Sequence, residues 1–209
     1  AAEKGNLREF ERLFTADEKR LQFRDSRGRA AVHHAAAHNK VNILDFILKH
    51  NGGKLTLETF FPSTPFSPQR PLHTRVDLGM LDYEDNSPLH SACEHEAADA
   101  ISFLIDNGAD TSLLNKNTQS PLHVSTQLNK VKSLQALVKH KDKVDTNLRS
   151  KHGRTALHLA AIYDHAECAR ILALVKHKDK VDTNLRSKHG RTALHLAAIY
   201  DHAECARIL

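Results

Sequence analysis

Tryptophan is absent from this 209-residue chain, methionine occurs once, and Phe, Tyr and Trp together make up only 5% of it. Its interior must therefore be packed largely by small aliphatic side chains. No apolar run approaches the roughly 18–20 residues of a membrane-spanning helix, so these residues supply no direct span. The opening Ala1-Ala2-Glu3-Lys4 lacks the apolar h-region of a signal peptide. Cysteine is scarce too. Three residues without paired spacing exclude a disulfide framework and suit a reducing compartment. There is no G-x-S-x-G, no P-loop and no dinucleotide fingerprint, so nothing speaks for an enzyme or a cofactor. The net charge of +5 is small for a nucleic-acid binder, and nucleic acid is not an expected partner. What is present, 40% hydrophobic and 26% charged residues, suits one or two soluble domains with a sizeable core.

Repetition dominates the rest. Residues 136–172 recur without one difference as residues 173–209. Natural tandem repeats drift apart except where packing constrains them, so perfect identity points to a recent or artificial duplication. Without the copy the chain would hold 23 basic and 21 acidic residues, so much of its basicity is counted twice.

A looser repeat lies beneath the exact one. Ala30-Ala31-Val32-His33, Ser87-Pro88-Leu89-His90, Ser120-Pro121-Leu122-His123, Thr155-Ala156-Leu157-His158 and Thr192-Ala193-Leu194-His195 align. Small residues follow each one, and about ten residues later comes an apolar set such as Leu44, Ile47, Leu48 or Ile101, Leu104, Ile105. Ser or Thr at the first position is a helix N-cap, and Pro next to it suits the first helical turn. The apolar set at i, i+3, i+4 is the buried stripe of a second helix. Two residues before each motif stands a turn position: Gly28, Asp85, Thr118, Gly153 and Gly190. Gly accepts positive φ there freely, Asp moderately and Thr poorly. The first repeat lacks its capping hydroxyl, with Ala30 in that place.

This set resembles the ankyrin repeat, with its period near 33 residues and its T-P-L-H-x-A signature. The resemblance implies an all-α solenoid of stacked helix-turn-helix units with short hairpin loops. The expected organisation is a partial first repeat over 1–23, a repeat over 24–52 and a Pro-rich insertion over 53–81. Further repeats follow over 82–114, 115–149 and 150–172, and 173–209 is the identical copy holding one more. The chain is expected to begin inside a repeat and to stop without a polar cap, as a fragment of a longer array would. The insertion explains the spacing of 57 from Ala30 to Ser87 and holds Pro62, Pro65, Pro68 and Pro71, which exclude regular helix. It is expected to be less protected than its flanks, whether mobile or a docking element. In the copy, Leu174 and Val175 fall two residues late against the stripe ending at Leu172. A continuing helix is expected to turn both largely from the core, and residues 173–209 are expected to unfold first.

A narrower resemblance is carried by Gly5-Asn6-Leu7-Arg8-Glu9-Phe10, the segment from Arg24 to Leu48, and Asp85-Asn86-Ser87-Pro88-Leu89-His90-Ser91-Ala92-Cys93. Over roughly residues 1–172 the chain resembles the early cytoplasmic repeats of the TRPA subfamily of transient receptor potential cation channels. That resemblance implies a much larger homotetrameric, calcium-permeable, non-selective cation channel opened by irritants or temperature. It places these repeats on the cytoplasmic side of a plasma membrane, with other subunits or further proteins as partners. A free-standing ankyrin adaptor or an engineered binding module is the alternative.

Sixteen histidines raise a metal hypothesis, but no complete ligand set is spaced for one, and no metal is expected. Cys93, Cys168 and Cys205 fall at packing positions. The basic run from Lys139 to Arg154 offers a weak anionic site, against which a solvated loop is the plainer reading. The expected interaction surface is the concave face, formed by hairpin tips and the exposed side of the first helices. By register its partner-binding residues are Arg27, Arg29, His38, Tyr83, Glu84, Asn86, His95, Lys116, Asn117, Gln119, Gln127, Lys151, His152, Arg154 and Tyr163.

Overall fold

The computed structural model describes residues 1–16, 23–50, 78–176 and 181–209. Among the described residues the secondary structure is entirely helical, without a strand. After α1 (Leu7–Ala16) come five pairs, each a seven-residue inner helix and an outer helix. They are α2 (Ala31–Ala37) with α3 (Val41–His50), α4 (Pro88–Glu94) with α5 (Ala98–Asp106), α6 (Pro121–Gln127) with α7 (Val131–Lys139), α8 (Ala156–Ile162) with α9 (Ala166–Lys176), and α10 (Ala193–Ile199) with α11 (Ala203–Ile208). The solenoid expected from the spacing is the fold observed.

Each inner helix starts where the motif places it. Ala30, Ser87, Ser120, Thr155 and Thr192 are the N-caps, all in extended backbone. The Oγ of Ser87 and Ser120 each accept from the N–H of the histidine three residues on. Ala30 has no such oxygen, yet its own N–H donates to His33 Nδ1 at 3.2 Å, so half of the box survives. Inner helices end in a left-handed residue, namely Asn39, Glu96, Asn129, Asp164 and Asp201. The next N–H then reaches back to the helix, as from Ala97 to the Ala92 carbonyl at 3.0 Å.

Inner helices stack on inner helices and outer on outer. Small side chains make this possible: Ala35, Ala36, Ala92, Cys93, Ala160 and Ala161 are wholly buried. In α6 the same places hold Ser125 and Thr126. Their hydroxyls donate to the carbonyls of Pro121 and Leu122 at 2.8 and 2.9 Å, so neither is buried unpaired. Leu89, Leu122, Leu157, Leu104, Leu137 and Leu172 fill the seam between the layers. Helix α1 lies against α3 as an outer helix would, with Phe10 edge-on to Phe46 at 5.8 Å.

Helix α2 packs directly on α4 although 57 residues separate their caps. The expected insertion therefore leaves the stack unbroken. Most of it, and the exchange behaviour expected of it, lies outside the described residues. Its last part is in view: Leu78 is buried in the core and Met80 packs against it.

The duplicated helix departs from expectation. Helix α9 runs on to Lys176, Leu174 is 64% exposed, but Val175 is buried at 8%. The reason is angular. Leu174 is two residues past Leu172 and turns about 200° away, whereas Val175 is three residues past it and returns to within about 60° of the stripe. Only one of the two side chains is lost from the interface.

Candidate functional site: the concave face

The concave face rests on the hairpin tips, and these are rigid for local reasons. The turn positions Gly28, Asp85, Thr118, Gly153 and Gly190 all have positive φ, between 57° and 76°. At Gly28 a side chain would also collide with the Tyr83 ring, which lies over the bare α-carbon. Asp25 and Asp82 brace their own turns by accepting backbone N–H bonds, from Arg27 and Arg29 and from Glu84 and Asn86, at 2.8–2.9 Å. Burial acts to raise the Asp25 pKa, but the N–H donors of Arg29 and Arg27 and the Arg29 guanidinium outweigh it and hold the carboxyl well below the usual range.

Successive tips are bonded to each other. The N–H of Tyr83 donates to Arg27 O, that of Lys116 to Glu84 O, and that of Lys188 to His152 O, at 2.9–3.0 Å. At the third junction the Lys151 N–H goes instead to Thr118 Oγ1 at 2.9 Å. A β-branched residue is strained at φ 57°, and here its hydroxyl supplies a bond between repeats.

Below the tips runs a ladder of motif histidines. In His33, His90 and His158, Nδ1 accepts the N–H of the helix cap at 3.1–3.2 Å, and in His123 at 3.4 Å. That fixes the neutral tautomer with hydrogen on Nε2. Nε2 then donates to the next repeat: His33 to Asn86 O, His90 to Gln119 O, His123 to Arg154 O and His158 to Arg191 O, at 2.9–3.1 Å. Burial lowers the pKa of all four, that of His90 to about 4, against the opposing effect of those carbonyls. A second row runs back the other way, from His165 Nδ1 to Thr126 O and from His202 Nδ1 to Ala161 O, at 2.7 and 2.8 Å. These roles occupy the imidazoles. Among the described residues no three His, Cys, Asp or Glu side chains are grouped to hold a metal ion. His34 and His38 do not converge, since His34 lies between Glu3 and Asp25 while His38 bonds the His34 carbonyl. The three thiols are buried, and burial raises Cys93 to about 12 and Cys168 and Cys205 to about 11, which keeps them protonated and unreactive.

The expected partner residues fall into four groups. Arg29 and Asn86 are engaged in the scaffold: Arg29 pairs with Asp25 at 2.8 Å, and the Asn86 amide bridges Asp82 and Asn115. Arg27, Tyr83, Glu84, His38 and His95 are exposed on repeats one and two, with the two imidazoles stacked at 6.3 Å. Lys116 is exposed and bonds the Tyr83 carbonyl. Asn117, Gln119, Gln127, Lys151, His152, Arg154 and Tyr163 converge on one open hollow of about 300 Å³ between the third and fourth repeats. Ser150 and Leu159 complete its lining. The motif register does not single out these two, because one is a turn residue and the other belongs to the mostly buried part of α8. The basic run is partly tied down, with Lys143 at 3.1 Å and His140 at 3.6 Å from Asp106.

Comparison with known proteins bears on this architecture. A stretch of 172 residues is 45% identical to the transient receptor potential cation channel subfamily A member 1 of Drosophila melanogaster, covering 82% of this chain and 12% of the relative. The human protein of the same name is 28% identical over 155 residues, 74% of this chain and again 12% of the relative. The chain thus spans about one-eighth of these relatives, and the TRPA resemblance carried by its motifs is met again in both. Among solved structures, a complex of a Bdellovibrio bacteriovorus predatory endopeptidase with its immunity protein contains a similar chain. It matches with TM-score 0.69 and 23% identity, over 100% of this chain and 93% of that one, a likeness of fold alone. The family model for ankyrin repeats matches three times, over residues 1–113, 69–149 and 141–209. The chain belongs to the ankyrin-repeat family.

Proposed function

We propose that this chain is a cytoplasmic, non-enzymatic scaffold segment of a TRPA-type channel, homotetrameric and non-selective among cations, whose concave face takes protein contacts and passes them to the gate. The observation that carries the reading is the 45% identity over 172 residues to a channel of that subfamily, coinciding with a rigid, unbroken stack. Ankyrin solenoids recognise partners on extended concave surfaces, and this one exposes Arg27, Tyr83, Glu84, Lys151 and His152. Stimulus, whether irritant or temperature, reaches the gate through such contacts. No described helix is long and apolar enough to cross a membrane, so conduction belongs to other parts of a parent protein.

The test is to express the whole product of the transcript that encodes these residues and record whole-cell currents. A stimulus-evoked cation current is expected, altered in stimulus dependence by Tyr83→Ala with His95→Ala at unchanged surface expression. A whole product that reaches no membrane and binds partners as a free protein would favour the adaptor instead.

A further inference from the structure

The hollow between the third and fourth repeats differs from the rest of the concave face in its charge. On the second repeat, Glu84 and Glu94 are exposed beside Tyr83. At the hollow the cations are Lys151 and Arg154, with the imidazole of His152 beside them and no carboxylate in the lining. Among the described residues neither Lys151 nor Arg154 is paired with an acid, whereas Lys143 pairs with Asp106 and Arg170 with Glu167, and Arg149 donates to the Gly153 carbonyl. The field there is felt by His152. Desolvation, and then the charges of Lys151, Arg154, Lys188 and His189, push its pKa below the usual imidazole value.

The neutral groups point the same way. The Gln119 amide donates to Gln127 Oε1, and the Gln127 amide in turn to Tyr163 Oη at 3.4 Å. A tyrosine hydroxyl that accepts from one neighbour keeps its own proton to donate. The chain of amides thus ends in a donor beside two cations, and what it lacks is an anionic acceptor. Tyr163 in the lining is 45% exposed, and Leu128, which follows the lining residue Gln127 in the chain, is 46% exposed, so apolar surface is open on this part of the face.

We propose that this hollow takes an Asp or Glu side chain of a peptide segment, with an adjacent apolar residue packed on Leu128 and Tyr163. This rests on the reading of the concave face as a protein-binding surface. A peptide suits the site better than a bilayer. Arg154, Gln119 and Gln127 are half-buried in a recess, which an extended segment can enter and a flat lipid surface cannot. The open apolar surface and the amides suit a side chain and its backbone. Glu84 and Glu94, on the adjoining second repeat, repel acids there and so give the bound segment a direction.

The test pans a random dodecapeptide phage library on the 209-residue chain and on its Lys151→Gln/Arg154→Gln double variant, after checking that both melt at the same temperature. Peptides with Asp or Glu beside Leu, Ile or Phe are expected to be enriched on the unaltered chain only. A fluorescein-labelled copy of the most enriched peptide should lose about tenfold in affinity on the double variant. Lys132→Gln, on the exposed side of the outer helix α7, should leave that affinity unchanged. No enrichment, no acidic bias, or equal affinity for the double variant overturns the proposal. So does binding of phosphatidylserine vesicles that the double variant loses while peptide binding persists. Enriched peptides without acids whose binding falls on Tyr83→Ala would remove the hollow but leave the wider concave-face reading standing. Peptides indifferent to every concave substitution would remove both.

Discussion

In each of the first four motifs a single imidazole closes a helix start and reaches the neighbouring repeat, and accepting the cap N–H at Nδ1 requires it to be neutral. Protonating Nδ1 would turn a donor toward the cap N–H, as at Ser87 and His90. In the unfolded chain these histidines titrate near 6.5, while in the fold burial lowers them, His90 to about 4. Between those values the unfolded chain binds more protons, so this contribution to stability is complete above about pH 6.5 and is lost as the pH falls through the window. Thermal midpoints should therefore descend from pH 7.5 to pH 4.5, and a midpoint that holds or rises would contradict the ladder. His123→Ala should cost about 2–3 kcal/mol at neutral pH, since it strands the Ser120 N–H and the Arg154 carbonyl. It should also lessen the acid sensitivity. Leu122→Ala should cost about 2–5 kcal/mol with the acid sensitivity intact. Urea titrations at several pH values separate the two.

Helix positions were legible in the sequence because caps, turn residues and the apolar stripe are local signals that recur in register. All five inner helices begin at the motif, and even Ala30 starts one, because the other half of the box, from its own N–H to His33 Nδ1, is kept. The bonds from one repeat to the next were not legible. They join residues 29 to 53 apart, such as His90 with Gln119 and His33 with Asn86, and no local spacing encodes them. The same holds for the site. Register placed Arg29 and Asn86 on the concave face, but only their partners Asp25, Asp82 and Asn115 show them to be engaged. The duplicated helix shows how fine the register is. Val175→Ala should cost about 1–2 kcal/mol, while Leu174→Ser should change stability by less than about 0.5 kcal/mol. Equal effects in chemical denaturation would mean that α9 is wrongly turned. Gly28→Ala should destabilise by about 2 kcal/mol, because it meets both a positive φ and the Tyr83 ring. It should also change the fluorescence of a chain with only three tyrosines.

Two identical 37-residue copies in one molecule isolate what stacking contributes. Leu157 and His158 are buried beneath α10, whereas Leu194 is 48% exposed and His195 is exposed as well. Amides over 193–209 should therefore exchange faster than those over 156–172, although every side chain is the same. Equal protection in mass-resolved hydrogen exchange would refute the nearest-neighbour picture. The same stacking carries the concave face past the insertion without a break and sets the donors of the third and fourth repeats around one hollow. The claim that these repeats form a working segment of a TRPA-type channel is tested most directly by a chimera. The aligned stretch of the Drosophila relative is replaced by the matching residues of this chain, and stimulus-evoked cation current is recorded. A current close to that of the unaltered channel is expected, lost when an unrelated ankyrin stack of equal length is inserted. A chimera that reaches the surface but stays silent, or an unrelated stack that serves as well, would contradict it.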